Sequence, residues 1–337
     1  MRAAPGLKIH VRTTAPQWLF HSPTAPVSYS RQAIDVGILQ RDSLEMDLSE
    51  TLRACRALHA KVPRLVRKEI RFIEEHDIRL IVGDIPPVAF EIAARASIPS
   101  VAITNFTWDW IYRSYLGVYP AFHPLIEEME SFYHKATVAL TLPYACNREV
   151  FPIQESIPWI ARLSMLNKEQ AKAKFDLPKS GTIILLSFGG LGLKRLPEKR
   201  LKQLREYYFV ATGGSKERDG NLLTLPDAQR QYQDLVRAAD VIVTKPGYGI
   251  VADVIAHQTP ILYTERGVFP EYPRLVQALN NLAVAEFIPQ DDLLSGNIEP
   301  YITRLLKKNN GCWPTVPLNG ADVAADKILA LLDPSSH

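Results

Sequence analysis

Continuous apolar, β-branched runs alternate with helical patterns twice along these 337 residues, and that repetition restricts the chain more than any other feature. In the first half the strand-like runs are "LKIHVRTTA" (7–15), "RLIVGDI" (79–85), "SVAITNF" (100–106) and "TVALTLP" (137–143). Helical patterns lie between them, at 47–76, 87–98 and 124–136. The second half repeats the scheme with "TIILLSFGG" (182–190), "YYFVATGG" (207–214), "VIVTK" (241–245) and "PILYTE" (260–265), separated by helical stretches. Strands that are apolar along their whole length are covered on both faces, which means parallel sheets. The expected class is therefore α/β, with two doubly wound domains. Prolines interrupt both periodicities within "NREVFPIQESIPWIARLS" (147–164), so the expected domains are 1–155 and 156–318, followed by a C-terminal helix in 319–337.

Composition narrows the function classes. Hydrophobic residues make up 47% and charged residues 22%, as in a globular protein. A net charge of +3 is too small for the concentrated basic face of a nucleic-acid binder, and it suits a site for an anionic small molecule. Cys55, Cys146 and Cys312 are odd in number and lack metal-ligand spacing, so neither a disulfide framework nor a metal site is expected. The start "MRAAPGLKIH" has no apolar signal core, and no apolar run approaches the ~18 residues of a membrane span. The expected location is cytoplasmic, with peripheral membrane contact left open.

Two glycine-rich turns end strands. "SFGGLG" (187–192) follows the first strand of the second half, and Gly189 and Gly190 allow close backbone approach beside the next helix start. "TKPGYG" (244–249) follows another strand; Gly247 and Gly249 bring a second helix start to the same sheet edge, and Lys245 offers a charge-assisted contact to phosphate. Asp253 follows within that helix, where a carboxylate suits the vicinal hydroxyls of a ribose and also suits the helix macrodipole. Neither turn has the Lys-Ser or Lys-Thr ending of a phosphate-binding loop of ATPases, and neither is a clean GxGxxG followed by an acid about 20 residues on.

With these segments in hand, the chain resembles the GT-B glycosyltransferases. "SFGG" and "TKPGYGIVADVIAHQTPILYTERGVFPEYPRLVQAL" are similar to the glycosyltransferase family 28 C-terminal domain and to the peptidoglycan N-acetylglucosaminyltransferase. "GDIPP" (83–87), "ITNFTWD" (103–109) and the 241–260 stretch resemble the N-terminal glycosyltransferase-like region of plant L-arabinokinases. The resemblance covers almost the whole chain and implies two Rossmann-like domains with a nucleotide-sugar donor on the second. By that likeness Ser187, Gly189 and Gly190 fall on the diphosphate loop. Lys245, Gly247, Tyr248 and Gly249 fall on the turn near the nucleotide, Asp253 on the ribose acid, and Glu271 near the donor sugar. In the first half Asn105 and Trp108 become acceptor-side residues, Trp108 as a stacking surface for a sugar. Asp84 or Asp109 becomes the base that takes the acceptor's proton. Asp84 also fits a helix cap before Pro86, and Trp108 also fits interior packing.

One departure matters. The family begins with a strand and a Gly-His-Gly loop, and here "MRAAPGLKIHV" reads as a helix tail followed by the second strand. The central strand of the order 3-2-1-4-5 is missing. The expectation is that Met1 is an internal start in a longer natural sequence; otherwise the sheet must close the gap, with donor binding kept and catalysis lost. The leading function is metal-independent transfer of a sugar from a nucleotide-diphosphate sugar to an acceptor of unspecified chemistry, with no cofactor. The alternative is a non-catalytic nucleotide-sugar-binding or regulatory module; a two-domain epimerase would need cleft acids and a histidine that find no match here.

Overall fold

The computed structural model describes residues 6–20, 25–40, 46–188, 197–213, 215–226 and 231–332. Gly189 and Gly190 lie outside the described residues. The chain divides into two compact units: 1–39, 47–160 and 317–337 form the first, and 40–46 with 161–316 form the second.

The first unit opens with β1 (Ile9–Thr13) and β2 (Val27–Arg31), which pair in parallel. Helix α1 (Leu48–His59) starts at Asp47, whose carboxylate accepts from the Glu50 amide at 3.0 Å, a standard cap for an orphan helix donor. Helix α2 (Val62–His76) carries Pro63 in its first turn, buries Val62, Leu65, Val66 and Ile73, and stops at Asp77 in the left-handed region. The 3.6-residue spacing of those four side chains packs them against Val88 and Ile92. Next come β3 (Ile81–Gly83), α3 (Pro87–Arg95), β4 (Ser100–Thr104), α4 (Trp108–Arg113), α5 (His123–Tyr133), β5 (Val138–Thr141) and β6 (Gln154–Ser156). These strands form a parallel sheet in the order β3-β4-β5-β6.

Among the described residues the two sheets of the first unit stay separate. β1 pairs only with β2, and β3 only with β4. The difference shows in burial: β4 and β5 are almost wholly enclosed, whereas all five residues of β1 are half-buried and Val82 of β3 is 46% exposed.

The second unit contains α6 (Lys168–Lys174), β7 (Thr182–Ser187), α7 (Glu198–Leu201), β8 (Tyr207–Thr212), β9 (Glu217–Asp219), β10 (Leu222–Leu225) and α8 (Tyr232–Ala238). It continues with β11 (Val241–Thr244), α9 (Tyr248–His257), β12 (Ile261–Tyr263), α10 (Tyr272–Leu282), β13 (Ala285–Phe287), α11 (Gln290–Ser295) and α12 (Glu299–Lys308). Its seven strands run β13-β12-β11-β7-β8-β10-β9, parallel except for β9 at the edge. Taken from its first strand, β7, this is the doubly wound order 3-2-1-4-5-6 with one added edge strand. The core under it is aliphatic: Ile184, Leu186, Val241, Val243, Leu262 and Ile302 are all under 5% exposed. Each such side chain contributes about 1.5–3 kcal/mol by leaving water.

Helix α13 (Gly320–Leu332) returns to the first unit. Its Ala324 packs with Val101, Val138 and Leu140, and its first amide donates to the Trp159 carbonyl at 3.1 Å. No helix among the described residues is long and apolar enough to cross a membrane.

Candidate functional site

In the second unit the winding direction reverses between β7 and β11, which are hydrogen-bonded neighbours with Ser187 opposite Thr244. Ligands of open α/β sheets bind at the carboxyl ends of the strands at such a reversal. Both glycine-rich turns of the sequence leave this point. The Thr244 hydroxyl donates to the Ser187 carbonyl, which ties the two strand ends together. The Ser187 hydroxyl lies 2.6 Å from the Tyr232 hydroxyl at the start of α8.

Helix α9 starts just beyond β11. Gly247 is its N-cap, in an extended conformation, and no side chain caps the start. Gly249 is exposed, and a Cβ placed on it would meet no atom of the described residues within 4 Å. Neither glycine has a positive φ. The fold does not require glycine at 249; glycine there keeps the approach to the helix start open. Lys245, half-buried, sits on the same turn.

Asp253 lies deeper than the ribose role requires. Helix α9 is apolar on nearly all sides and therefore central, and Asp253 is 2% exposed. Its two oxygens are taken up by Arg162: the backbone N–H at 3.3 Å on Oδ1 and the guanidinium at 3.2 Å on Oδ2. Burial raises the Asp253 pKa above the usual carboxylate range, with the Arg162 charge opposing and not overcoming it. The Arg162 side chain itself is 54% exposed and stands 5.5 Å from the Tyr232 ring centroid. Asp253 thus anchors a surface arginine. Glu271 is likewise buried, at 2% exposure, and accepts from Arg266 at 3.3 Å. The same guanidinium group bonds the Pro246 carbonyl at 3.1 Å and covers Phe269. Glu271 therefore supports the 246–249 turn from beneath; the expected sugar contact would need it at the surface.

In the first unit Asp84 is exposed and directly follows β3. It does not cap α3, whose N-cap is Pro86 with no side-chain bond. Its neighbour Ile85 has φ 58°, a left-handed conformation that a β-branched residue adopts only under constraint. The constraint is visible: the fully buried Tyr133 hydroxyl donates to the Ile85 carbonyl at 2.7 Å and accepts from the Trp108 amide at 3.2 Å. One side chain thereby fixes the backbone beside both Asp84 and Trp108. Crowded surroundings raise the Asp84 pKa, and the nearby charge of Asp35 adds to the rise. Tyr133→Phe is expected to cost about 2 kcal/mol in urea denaturation, because it leaves the buried Ile85 carbonyl and the half-buried Trp108 amide without this partner. An unchanged midpoint would contradict this arrangement.

Asp109 is not available as a base. It is 1% exposed; its Oδ2 accepts from the Asn147 amide at 2.7 Å, and its Oδ1 has no hydrogen-bond partner among the described residues. Asn147 also bonds the Thr107 hydroxyl at 2.6 Å, so the group is an internal clamp at the start of α4. Trp108 fits the packing alternative. Its indole N–H donates to Asp35 at 3.2 Å, its ring meets Phe106 edge-on at a 5.0 Å centroid distance, and Gly37 approaches it so closely that a Cβ would sit 3.3 Å from the ring. Asn105 is half-buried, and its carbonyl accepts from Cys146 at 2.8 Å. Beside Trp108 a hollow lined by Asp35, Cys55, His59 and Tyr112 is too narrow for a sugar ring.

Sequence reasoning missed Arg162, Tyr232, His257 and Asp35. Arg162 lies in the proline-interrupted stretch where the domain boundary is expected, and nothing in its neighbours signals a partner 91 positions away.

No family model matches the sequence. The chain is 27% identical over 331 residues to L-arabinokinase of Arabidopsis thaliana, covering 96% of this chain and 31% of that protein. It thus spans about a third of the curated relative's length. Among solved structures it is similar to CalG4, the calicheamicin glycosyltransferase, with TM-score 0.56, 14% identity and 91% of this chain against 86% of that one. A UDP-glucosyltransferase from Polygonum tinctorium gives 0.59 at 13% identity, with 89% and 85% covered. Arabidopsis thaliana UGT89C1 gives 0.56 at 15% identity, with 96% and 92% covered. The chain has the GT-B glycosyltransferase fold.

Proposed function

We propose that the chain transfers a sugar from a nucleotide-diphosphate sugar to an acceptor hydroxyl, with the donor held at the β7–β11 reversal of the second unit. The observation that carries this reading is the open start of α9 at that reversal, within a fold shared with glycosyltransferases. One neighbour, UGT89C1, is described in complex with UDP-L-rhamnose. The backbone N–H groups of a helix start attract a diphosphate, and Lys245 and the exposed Arg162 add positive charge there. That charge meets the negative charge developing on the leaving diphosphate and calls for no metal ion. Asp84 is the carboxyl assigned to the acceptor: it takes the hydroxyl proton as the acceptor oxygen bonds to the anomeric carbon and the bond from that carbon to the diphosphate breaks.

The buried positions of Asp253 and Glu271 favour a second reading, a module that binds a nucleotide sugar without turning it over. Release of nucleoside diphosphate from a bound donor distinguishes the two.

The reading is tested by thermal shift against a panel of nucleotide sugars with wild type and Gly249→Leu. A binding donor adds about 2.7 kcal/mol at a hundredfold excess over Kd. Gly249→Leu is expected to melt at the same temperature or higher, since leucine favours helix over glycine and meets open space. The variant should lose the donor-induced shift because its side chain fills the approach to α9. Donor shifts of equal size in both proteins would place the ligand elsewhere.

A further inference from the structure

The segment Arg162–Ser164 lies along α9 and is fastened at two places one helical turn apart. The first is the Arg162–Asp253 pair. The second is His257, the last residue of α9, which is 7% exposed and bonded through both ring nitrogens. Nδ1 lies 2.8 Å from the Asp253 carbonyl, and Nε2 lies 3.0 Å from the Ser164 amide nitrogen. A carbonyl only accepts and a backbone N–H only donates. His257 must therefore carry its proton on Nδ1 and present Nε2 as an acceptor. The other tautomer breaks both bonds, and the imidazolium sets one N–H against another.

We propose that His257 is a positioning residue: as the neutral Nδ1–H imidazole it holds the Arg162–Ser164 strap on α9 and thereby sets the Arg162 guanidinium beside the nucleotide end of the second unit. The proposal rests on the donor reading above for its ligand, and on the hydrogen-bond geometry alone for the strap.

The electrostatic surroundings agree. Burial lowers the His257 pKa below its ordinary value. Asp253 on the same helix and Asp234 on α8 pull the other way, and Arg237 on α8 joins burial. Asp234 is largely spoken for, since it accepts from the Ser164 hydroxyl at 2.5 Å and from Lys174 of α6 at 2.6 Å. From the strap, Arg162 contributes a charge already paired with Asp253. At neutral pH the ring is uncharged and the strap is closed. Acid charges the ring, removes the acceptor from Ser164 and loosens Arg162.

The role is distinct from simple packing, because it depends on one proton at one nitrogen. Long-range ¹⁵N correlation of the His257 ring is expected to show a protonated Nδ1 and a bare Nε2 at pH 8. Exchange of the Ser164 amide should accelerate in step with His257 protonation. UDP affinity should fall about fivefold over the same titration, the loss of roughly one hydrogen bond's worth of closure. In His257→Gln the side-chain carbonyl can accept from Ser164 and does not titrate, so both the exchange rate and the affinity should lose that pH dependence. A ring protonated on Nε2, Ser164 exchange indifferent to the state of His257, or an equal pH slope for UDP in both proteins would overturn the proposal. If the ring and the Ser164 amide behave as expected while UDP binds at no pH, the strap stands and the donor reading falls.

Discussion

Arg162→Ala is expected to destabilise the second unit by about 3 kcal/mol at neutral pH, while Asp253→Asn costs only about 1 kcal/mol. The asymmetry follows from where each partner sits. Asp253 is enclosed, and Arg162 stands more than half in solvent. Removing the aspartate leaves an arginine that water can hydrate. Removing the arginine leaves a buried carboxylate with one backbone N–H at 3.3 Å. The cost should depend on pH. Burial already raises the Asp253 pKa, and without Arg162 it rises further. A carboxyl with a raised folded-state pKa is destabilising above that pKa and relieved below it. The penalty of Arg162→Ala should therefore shrink as pH is lowered from 7.5 towards 5. Denaturant unfolding of both variants at the two pH values measures this, and equal costs for the two substitutions would show that Asp253 does not depend on Arg162.

Gly320→Ala is expected to destabilise the first unit by about 3 kcal/mol. Within a helix, alanine ordinarily gains about 1 kcal/mol over glycine, so the expectation here reverses the usual sign. A Cβ at position 320 would lie 2.1 Å from the Pro158 carbonyl oxygen, 2.8 Å from the Pro158 carbonyl carbon and 2.8 Å from the Trp159 oxygen. All three are backbone atoms and cannot rotate aside. Relief requires α13 to lift from the 158–159 segment, which would break the bond from the Gly320 amide to Trp159 and expose Ala324 with the sheet face beneath it. Faster amide exchange along α13, with β7 and β11 of the second unit unchanged, would accompany a lower melting temperature. A melting temperature at or above wild type would mean that α13 does not dock as described. Gly249→Leu is the internal contrast, because the same kind of change meets open space there.

Much of the architecture was legible because it depends on local period. "IILL", "VIV" and "VAI" are uninterrupted apolar runs, bounded within their strands only by small hydroxyl residues, and a strand buried on both faces suits that; each became an interior parallel strand. Strands β2, β6, β9, β10 and β13 were missed: "VSYSR", "QES", "ERD" and "AEF" are interrupted by polar or charged residues, and "LLTL" follows β9 with no helical stretch between them. The glycine-rich turn at 244–249 was placed correctly at a strand end, because Pro-Gly after a β-branched run stops a strand wherever the chain goes next.

The acids behaved differently. Asp84, Asp109, Asp253 and Glu271 are one residue type, or nearly so, in similar contexts after strands or near helix starts. Only Asp84 remained exposed. Asp109 met Asn147, Asp253 met Arg162 and Glu271 met Arg266. For Asp109 and Asp253 the partner is 38 and 91 positions distant, so no window along the chain contains it. By itself the sequence determined the alternating strands and helices, the parallel character of the sheets and the open glycine turn, because side-chain periodicity and backbone freedom act over a few residues. Tertiary structure alone decided which carboxylates face water, which unit receives α13, and that a histidine and an aspartate on one buried helix fasten a distant arginine, because burial and pairing depend on segments that meet only when the chain has folded.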